Sequence, residues 1–248
     1  MSNKYGHSAV WVVIPAAGVG KRMHSDCPKQ YLQLQDKTIL EHTLDCFLGH
    51  PAIRGIVVVV SAEDGYWPLL EERLQGFPVY RAPGGGERAD SVLNGLDFLA
   101  ALPGVTDADV VLVHDAARPC LPRQDLSLLL AAAQDCAQCG ALLAYPVRDT
   151  MKRSLPDSTP ARVAQTESRD GLWHALTPQL AGLGVLRNAL RAALQQGVAL
   201  TDEASALEWA GLQPRLLEGQ AGNIKITRPD DLALADFFLQ QRLHEEEA

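Results

Sequence analysis

The chain has 248 residues, with 22 Lys and Arg against 30 Asp and Glu, so its formal net charge is −8. Hydrophobic residues make up 47% of it, which excludes a disordered chain. No apolar run reaches the roughly 18–20 residues that span a bilayer, so no membrane partner is expected. The acidic balance argues against nucleic acid as a partner. It leaves room for a small anionic substrate, because a binding site needs only a few local cations.

The five cysteines are odd in number and scattered, and the opening segment MSNKYGHS has no signal-peptide core. We therefore expect a protein of the reducing cytoplasm. Cys136 and Cys139 form a lone C-x-x-C inside a helix-like stretch. A zinc site needs further Cys or His ligands, so the pair favours ordinary helix packing, with a redox pair as the alternative.

Short apolar runs alternate with helical patterns along the chain. The predicted strands are Ala9–Pro15, Ile53–Ser61, Val110–His114, Ala141–Val147 and Asn223–Thr227. The predicted helices are Ile39–Leu48, Asp64–Gln75, Ala89–Ala100, Gln124–Cys139, Leu183–Gln196, Asp202–Trp209 and Asp230–Leu243. Three strands are nearly unbroken runs rich in Val or Ile, which is typical of a parallel sheet covered on both faces. The pattern predicts an open α/β sheet with helices on both faces and a ligand beyond the carboxyl ends of its strands.

The polar segment Arg148–Gly171 interrupts this alternation. It carries two prolines and lacks helical periodicity, so it predicts either a flexible loop or a projecting β-arm. No internal repeat or linker indicates a second domain. The sequence therefore predicts a single domain over residues 1–248, with residues 148–171 as an insertion.

A glycine loop with cations, PAAGVGKRM at residues 15–23, follows the first predicted strand. Its small residues let backbone N–H groups approach a phosphate closely. From Gly18 to Lys29 there are three Lys and Arg against one Asp, a local charge of +2 in a chain of net −8. The spacing fits neither a P-loop nor a GxGxxG fingerprint. The segment predicts a polyphosphate site, and a surface turn with solvated cations is the alternative.

Two further loops carry candidate groups. GGGERADS at residues 84–91 opens a helix, and its backbone groups and the Ser91 hydroxyl suit the edge of a base. HDAARP at residues 114–119 places Asp115 at the end of a strand, three residues before Arg118. That carboxylate suits Mg²⁺ or a sugar hydroxyl, and Arg118 suits a phosphate. An Asp that caps the next turn and pairs with Arg118 is the alternative.

Eight motifs occur in order: PAAGVGKRM, PKQY, GGGERADSV, HDAARP, PVRDTMKR, GLWHALTPQ, TDEASALE and EGQAGNIKITRPDD. Together, from about Val10 to Phe238, they closely resemble the 2-C-methyl-D-erythritol 4-phosphate cytidylyltransferase family. The resemblance implies a Rossmann-like α/β nucleotidyltransferase sheet with helices on both faces and a projecting β-arm that interlocks two subunits. Residues 148–171 would be that arm, and the protein would be a homodimer.

The resemblance also implies roles for individual residues. Arg22 and Lys29 would contact the triphosphate of CTP and stabilise charge on its α-phosphate. Cytosine and ribose would be held by Ala16, Ala17, Gly18, Gly85 and Ser91, mostly through backbone groups, with Asp115 where nucleotide, metal and second substrate meet. The second substrate would be bound by Arg118, Thr150, Arg169, Thr177 and Lys225, of which Arg169 and Lys225 would position its phosphate for attack. The family's GGDERADS reads GGGERADS here, with Gly86 in place of Asp.

The reaction implied is transfer of the cytidylyl group of CTP to 2-C-methyl-D-erythritol 4-phosphate, a step of non-mevalonate isoprenoid precursor synthesis. Mg²⁺ or another divalent cation would be held mainly by the CTP phosphates, with Asp115 as the candidate protein ligand. The residues fit this chemistry, because in-line transfer needs positioned cations rather than a covalent nucleophile. The alternatives are a cytidylyltransferase for another polyol phosphate such as ribitol phosphate, and a non-catalytic nucleotide-binding protein on the same fold.

Overall fold

Apolar strands alternate with helices along the chain. The computed structural model describes residues 9–18 and 27–247. Its strands are β1 (Val10–Pro15), β2 (Gln33–Leu34), β3 (Lys37–Thr38), β4 (Ile53–Val60), β5 (Val79–Pro83), β6 (Val110–Val113), β7 (Ala141–Pro146), β8 (Met151–Ser154), β9 (Val163–Glu167), β10 (Trp173–Gly182) and β11 (Arg215–Glu218). Its α-helices are α1 (Ile39–Asp45), α2 (Trp67–Arg73), α3 (Arg88–Ala100), α4 (Arg123–Cys136), α5 (Leu183–Gln195), α6 (Glu203–Trp209) and α7 (Asp230–Glu247).

Seven strands form one sheet in the order β11-β7-β10-β6-β1-β4-β5. Strand β1 pairs in parallel with β4 and β6, and β4 pairs in parallel with β5. Strand β10 runs antiparallel to β6 and β7, whereas β11 runs parallel to β7. The sheet is therefore mostly parallel, and β10 is the departure from the parallel arrangement that the buried runs predicted.

Alternation along β1 shows how both faces of the sheet are covered. Val12 and Ile14 pack into one apolar cluster, with side chains of α1, α2 and α4. Trp11 and Val13 point the other way, into a cluster with α3, α5 and α6. Because both faces are buried, neither parity of the strand carries polar residues, which explains the unbroken apolar run. The predicted α/β fold with helices on both faces is confirmed.

The insertion forms a separate two-stranded antiparallel ribbon. Strand β8 pairs with β9, in register from Met151 opposite Glu167 to Ser154 opposite Val163. Seven of the eight residues paired in this ribbon are exposed, whereas most residues of the central strands β1, β4 and β6 are buried. Strand β7 leads into the ribbon and β10 leads back from it, so both ends of the arm start from the main sheet. The projecting β-arm is thus present, and the flexible-loop alternative was wrong.

The strand predicted at Asn223–Thr227 was wrong. The segment is irregular, and within the described part of the chain one backbone bond joins it to another segment, from the Ile226 N–H to the Ala117 carbonyl at 2.8 Å. Its apolar alternation has another cause: Ile226 is buried in a cluster with Ala235 and Leu239 of α7. Because the segment lies against the loop after β6 and not against a strand, it has no ladder to join.

Strands β5, β10 and β11 were not among the predicted strands. In β10 the signal is broken by Pro178, and its pairing with β7 is irregular between Ala175 and Gln179. A proline inside a run argues against a strand, because it removes a ladder donor. Strands β5 and β11 are short and lie at the two edges of the sheet. Most of their residues are exposed or half-buried, so they lack the apolar run that predicts a strand.

The order in which the chain adds strands to the sheet reverses direction beside β1. The chain passes from β1 to β4 and β5 on one side and then returns to place β6 on the other. A crevice therefore opens between the segments that follow β1 and β6, which is where ligands bind in open α/β sheets. Within the described ranges, no helix combines the length and the apolar character needed to cross a bilayer.

Candidate active site

The loops after β1 and β5 touch at the carboxyl edge of the sheet. A Cβ atom on Gly84 would lie 2.5 Å from the Cβ of Ala17, and one on Gly85 would lie 2.3 Å from the Cβ of Asp90. Both positions therefore require glycine. At Gly86 the nearest atom to an added Cβ would be an Asp90 carboxylate oxygen 3.6 Å away. The position where the sequence departs from the family pattern thus has room for a side chain.

The Ser91 hydroxyl holds the second glycine loop together. Its oxygen accepts the Gly85 N–H at 3.0 Å, and its proton is donated to the Glu87 carbonyl at 3.1 Å. Only one lone pair remains for a ligand. The hydroxyl of Ser91 therefore holds the loop in shape and fixes the backbone groups that line the cavity.

The Asp115 carboxylate lies among three cations. Its Oδ1 is 3.2 Å from an Arg88 nitrogen, and its Oδ2 is 3.0 Å from Lys225 Nζ and 3.2 Å from Arg118 Nε. Burial alone would raise the pKa of this carboxyl. The Arg88, Lys225 and Arg118 charges outweigh burial and hold the pKa well below its usual range. Asp115 is therefore ionised at every pH at which the protein would work.

Arg88 links Asp115 to a second buried carboxylate. Its guanidinium donates to Glu203 through its two terminal nitrogens, at 2.7 and 3.1 Å, and its Nε lies 3.3 Å from Asp115 Oδ1. Burial raises the pKa of Glu203, and Arg88 opposes that rise. The bidentate pair fixes the guanidinium plane in one orientation. Arg88 is thereby held rigidly beside Asp115.

His114 closes the turn that carries Asp115 and Arg118. Its Nε2 lies 3.0 Å from the Arg118 carbonyl oxygen, and its Nδ1 lies 3.0 Å from the Thr177 hydroxyl. The same hydroxyl accepts the Asp115 N–H at 3.1 Å. Burial lowers the pKa of His114 to about 4, so the ring is neutral near pH 7. The buried turn is thus bonded to β10 through Thr177.

The irregular segment before α7 supplies Lys225 to the site. Asn223 is fully buried; its carbonyl accepts from Arg118 at 2.7 Å, and its side-chain amide donates to the Thr177 carbonyl at 2.7 Å. Lys29 Nζ donates to the Ile226 carbonyl at 3.2 Å. These bonds bring Lys29 and Lys225, nearly 200 residues apart, to the same edge of the sheet.

Two cavities open side by side at this edge. The first, of about 210 Å³, is lined by both glycine loops and by Lys29. The second, of about 270 Å³, is lined by Arg118, Thr177 and residues around Asp202. Asp115, Arg88 and Lys225 line both cavities and so form their common wall. Two anionic molecules can therefore approach each other across one set of cations.

Most of the residues singled out from the sequence line these cavities: Ala16, Ala17, Gly18, Lys29, Gly85, Ser91, Asp115, Arg118, Thr177 and Lys225. Arg22 lies outside the described residues. Thr150 and Arg169 lie at the base of the exposed arm and line neither cavity, and Arg169 donates to the Arg148 carbonyl within it. A single chain therefore does not bring these two residues to the cavities.

Arg88 and Glu203 were not selected from the sequence. Both stand within motifs noted there, GGGERADSV and TDEASALE, but a charged residue in the first turn of a helix is usually a solvated one. Their contact joins positions 115 residues apart, and no local pattern predicts it. The usable signal was that Arg88 stands in the glycine loop at residues 84–91, which the sequence already indicates as a candidate site loop.

The described carboxylates do not form a metal cage by themselves. Within residues 9–18 and 27–247, no three His, Cys, Asp or Glu side chains converge as a metal site. Asp115 and Glu87 are the described carboxylates that line the first cavity. This donor set fits a divalent cation that keeps several non-protein ligands, as Mg²⁺ does with substrate phosphates.

Comparison with known proteins assigns the family. The family model for 2-C-methyl-D-erythritol 4-phosphate cytidylyltransferase, IspD, matches residues 10–241. The enzyme of that name from Ectopseudomonas mendocina is 57% identical over 94% of this chain and 94% of its own, and that of Pseudoalteromonas atlantica is 52% identical over 93% and 95%. A crystal structure of 4-diphosphocytidyl-2C-methyl-D-erythritol synthase superposes with a TM-score of 0.81 at 39% identity, covering 94% of this chain and 99% of that one. The Francisella tularensis enzyme superposes with a TM-score of 0.77 at 34% identity, covering 93% and 100%. The match over nearly the whole chain shows that it belongs to the 2-C-methyl-D-erythritol 4-phosphate cytidylyltransferases.

Proposed function

We propose that the chain transfers the cytidylyl group of CTP to 2-C-methyl-D-erythritol 4-phosphate, forming 4-CDP-2-C-methyl-D-erythritol and pyrophosphate in isoprenoid precursor synthesis. Family membership supports this reaction. One observation on the site carries the proposal: two cavities share a wall that holds Asp115, Arg88 and Lys225. Such a wall suits a reaction in which two phosphate-bearing substrates must come together.

In this reaction a phosphate oxygen of the second substrate attacks the α-phosphorus of CTP in line. A new P–O bond forms, the bond to the oxygen bridging the α- and β-phosphates breaks, and its electron pair leaves with pyrophosphate. The attacking phosphate is already an anion at neutral pH, so no strong general base is needed. Repulsion between the two anions is the main obstacle, and fixed cations reduce it most where charge develops.

The residues divide between the two substrates. CTP occupies the first cavity, with its base and ribose on Ala16–Gly18, Gly85 and Ser91 and its triphosphate near Lys29 and Arg22. The polyol phosphate occupies the second cavity, against Arg118 and Thr177. Lys225 faces both cavities, which supports its role at the reacting phosphates. Positioning and electrostatic stabilisation are then the whole of the chain's contribution.

A divalent cation, Mg²⁺ or another, would be held mainly by the phosphates of CTP, with Asp115 as the protein ligand. When bound, the ion supplies positive charge that offsets the triphosphate. Asp115 already accepts from three cations. The ion would therefore share this carboxylate with them.

The arm supports a homodimer. Among its residues and those at its base, Met151, Leu155, Val163, Leu172 and Trp173 are exposed apolar side chains. A two-stranded ribbon is at best marginally stable alone in water, so a covering partner is needed. Residues 148–171 thus act as a dimerising extension of a single 1–248 domain. Thr150 and Arg169 then complete the site of the neighbouring subunit, where Arg169 positions the substrate phosphate.

The location proposed is the cytoplasm, which the five free cysteines support.

The reaction itself is tested with purified protein, CTP, 2-C-methyl-D-erythritol 4-phosphate and Mg²⁺, by measuring pyrophosphate release. We expect release that depends on both substrates. If the protein preferred ribitol phosphate in a competition assay, ribitol phosphate would be its substrate. If it bound CTP tightly without any turnover, it would be a non-catalytic nucleotide-binding protein.

A further inference from the structure

We propose that His114 is a positioning residue that sets the direction of the Thr177 hydroxyl and thereby makes it an acceptor for a hydroxyl group of the substrate. This inference rests on the proposed function. His114 is fully buried and lines neither cavity, so it acts through Thr177 and through the turn that bears Asp115. It touches no reacting atom.

The hydrogen-bond partners of the ring fix its tautomer. The Arg118 carbonyl oxygen, 3.0 Å from Nε2, can only accept, so Nε2 carries the proton. A neutral imidazole has one N–H, so Nδ1 presents a lone pair to the Thr177 hydroxyl, 3.0 Å away. Thr177 must then donate its proton to His114. No other arrangement of one ring proton satisfies both contacts.

This arrangement uses up the donor capacity of Thr177. Its oxygen also accepts the Asp115 N–H at 3.1 Å, which occupies one lone pair. One lone pair remains, and Thr177 lines the second cavity. A polyol hydroxyl can donate to that lone pair, whereas an ionised phosphate has no proton to give. The geometry therefore assigns the carbon chain of the substrate to Thr177 and leaves its phosphate to the cations.

The same ring holds the turn in shape. The Arg118 N–H donates to the Asp115 carbonyl at 3.1 Å, and the His114 Nε2–H donates to the Arg118 carbonyl, so the turn is closed at both ends. Loss of the Nε2 donor leaves a buried carbonyl without this partner. Loss of the Nδ1 acceptor releases the Thr177 proton, which can then point into the cavity. The two nitrogens therefore have separable effects.

Two amide variants separate them. In H114Q the amide N–H reaches the position of Nε2 and keeps the bond to Arg118, but the acceptor at Nδ1 is lost. In H114N the amide oxygen takes the position of Nδ1 and keeps Thr177 oriented. We expect H114Q to raise KM for the polyol phosphate roughly tenfold, the scale of one buried hydrogen bond, with KM for CTP unchanged. H114N should lose thermal stability, because the turn loses the Nε2 bond, and should raise KM for the polyol phosphate much less than H114Q does.

Two further measurements decide the coupling. T177V should also raise KM for the polyol phosphate. In the double variant, H114Q should raise that KM little further, because both substitutions remove the same acceptor, the oriented Thr177 hydroxyl oxygen. Equal KM values for H114Q and H114N, or independent effects in the double variant, would overturn the proposal. His42, buried on α1 with its Nε2 2.7 Å from the Leu34 carbonyl, is the matched control. H42Q should change stability and neither KM.

Ring ¹⁵N shifts of the native protein test the tautomer without turnover. We expect the His114 ring to carry its proton on Nε2, with its signals assigned by their loss in H114N. A proton on Nδ1 would overturn the inference even if every variant failed to fold. If the native chain releases no pyrophosphate, the proposed reaction fails and the positioning role falls with it. An active native enzyme with an Nδ1–H ring rejects the inference alone.

Discussion

Asp115 shows how one residue organises a site through charge. A buried carboxylate is costly unless it is paired, and here Arg88, Arg118 and Lys225 all contact it. Two of these cations are in turn fixed elsewhere: Arg88 by Glu203, and Arg118 by the Asn223 carbonyl. The cations are therefore already in place when a substrate arrives, which is the condition for electrostatic catalysis.

At this scale the clearest prediction concerns Lys225. Removal of a cation that stabilises developing charge typically costs about 10²–10³ in rate. We expect K225Q to lower kcat by that factor and to change KM for CTP much less, as measured by pyrophosphate release.

K37Q is the matched control for K225Q. Lys37 also pairs with an aspartate, Asp45 at 2.8 Å, but on the surface and away from both cavities. K37Q should leave turnover unchanged. A K225Q enzyme with near-native kcat would remove Lys225 from the reaction.

Among the elements, α3 lies unusually close to the sheet. A Cβ on Gly95 would lie 2.7 Å from Val59 and 2.8 Å from Val13, on the adjacent strands β4 and β1. This close approach brings the first turn of α3, with Arg88 and Ser91, down to the site. The glycine is thus a packing requirement that positions functional groups seven and four residues earlier.

G95A tests this packing. Gly to Ala inside a helix normally stabilises by roughly 0.5–1 kcal/mol, but overpacking costs about 1–3 kcal/mol. We expect a net destabilisation of about 1–2 kcal/mol in urea unfolding. Gly65, where an added Cβ meets nothing within 4 Å and φ is not positive, is the control, and G65A should change stability by less than about 0.5 kcal/mol. A stabilised G95A protein would contradict the account.

The arm makes a prediction about assembly. Val163 is 61% exposed on β9, and a charge there would be buried in a dimer interface. We expect V163D to raise the dimer dissociation constant at least tenfold in sedimentation velocity, with loss of activity on dilution.

Leu69 on α2 is 67% exposed and lies off the arm, so L69D is the matched control. L69D should leave the dimer intact. A native chain that is active as a monomer would reject the interface.

At the scale of the whole molecule, the central parallel strands of the sheet were predictable, whereas its edge strands, the antiparallel β10 and the charge network were not. Strands β1, β4 and β6 contribute side chains to the apolar clusters on both faces of the sheet, so each is a nearly unbroken apolar run that can be recognised in the sequence. The glycine loops follow such strands, so their meeting at one edge was also predictable. The Arg88–Glu203 pair and the placement of Lys225 depend on contacts between distant segments. The periodicity of a short segment cannot predict contacts with distant segments. At 223–227 the apolar alternation predicted a strand, but its cause is packing against α7.

The molecule as a whole should respond to its substrate. A ligand that binds only the folded state stabilises it by about 2.7 kcal/mol at a concentration 100 times its Kd. For a chain of this length that corresponds to a rise in Tm of roughly 5–10 °C. We expect this rise with CTP and Mg²⁺ in calorimetry and a much smaller one with CTP and EDTA. An equal rise in both would show that the metal is not needed for CTP to bind.

Three cations gathered at one point would repel one another, yet the fold brings Arg88, Arg118 and Lys225 to the same carboxylate. In the proposed reaction, Asp115 is a resident anion that occupies the place of the phosphate before the substrate arrives. Binding would then exchange one anion for another around cations already assembled, and release of pyrophosphate would return these cations to Asp115. Between turnovers the Asp115 carboxylate is the counter-ion of the three cations, so the site needs neither a rearrangement nor an anion from solution to balance their charge.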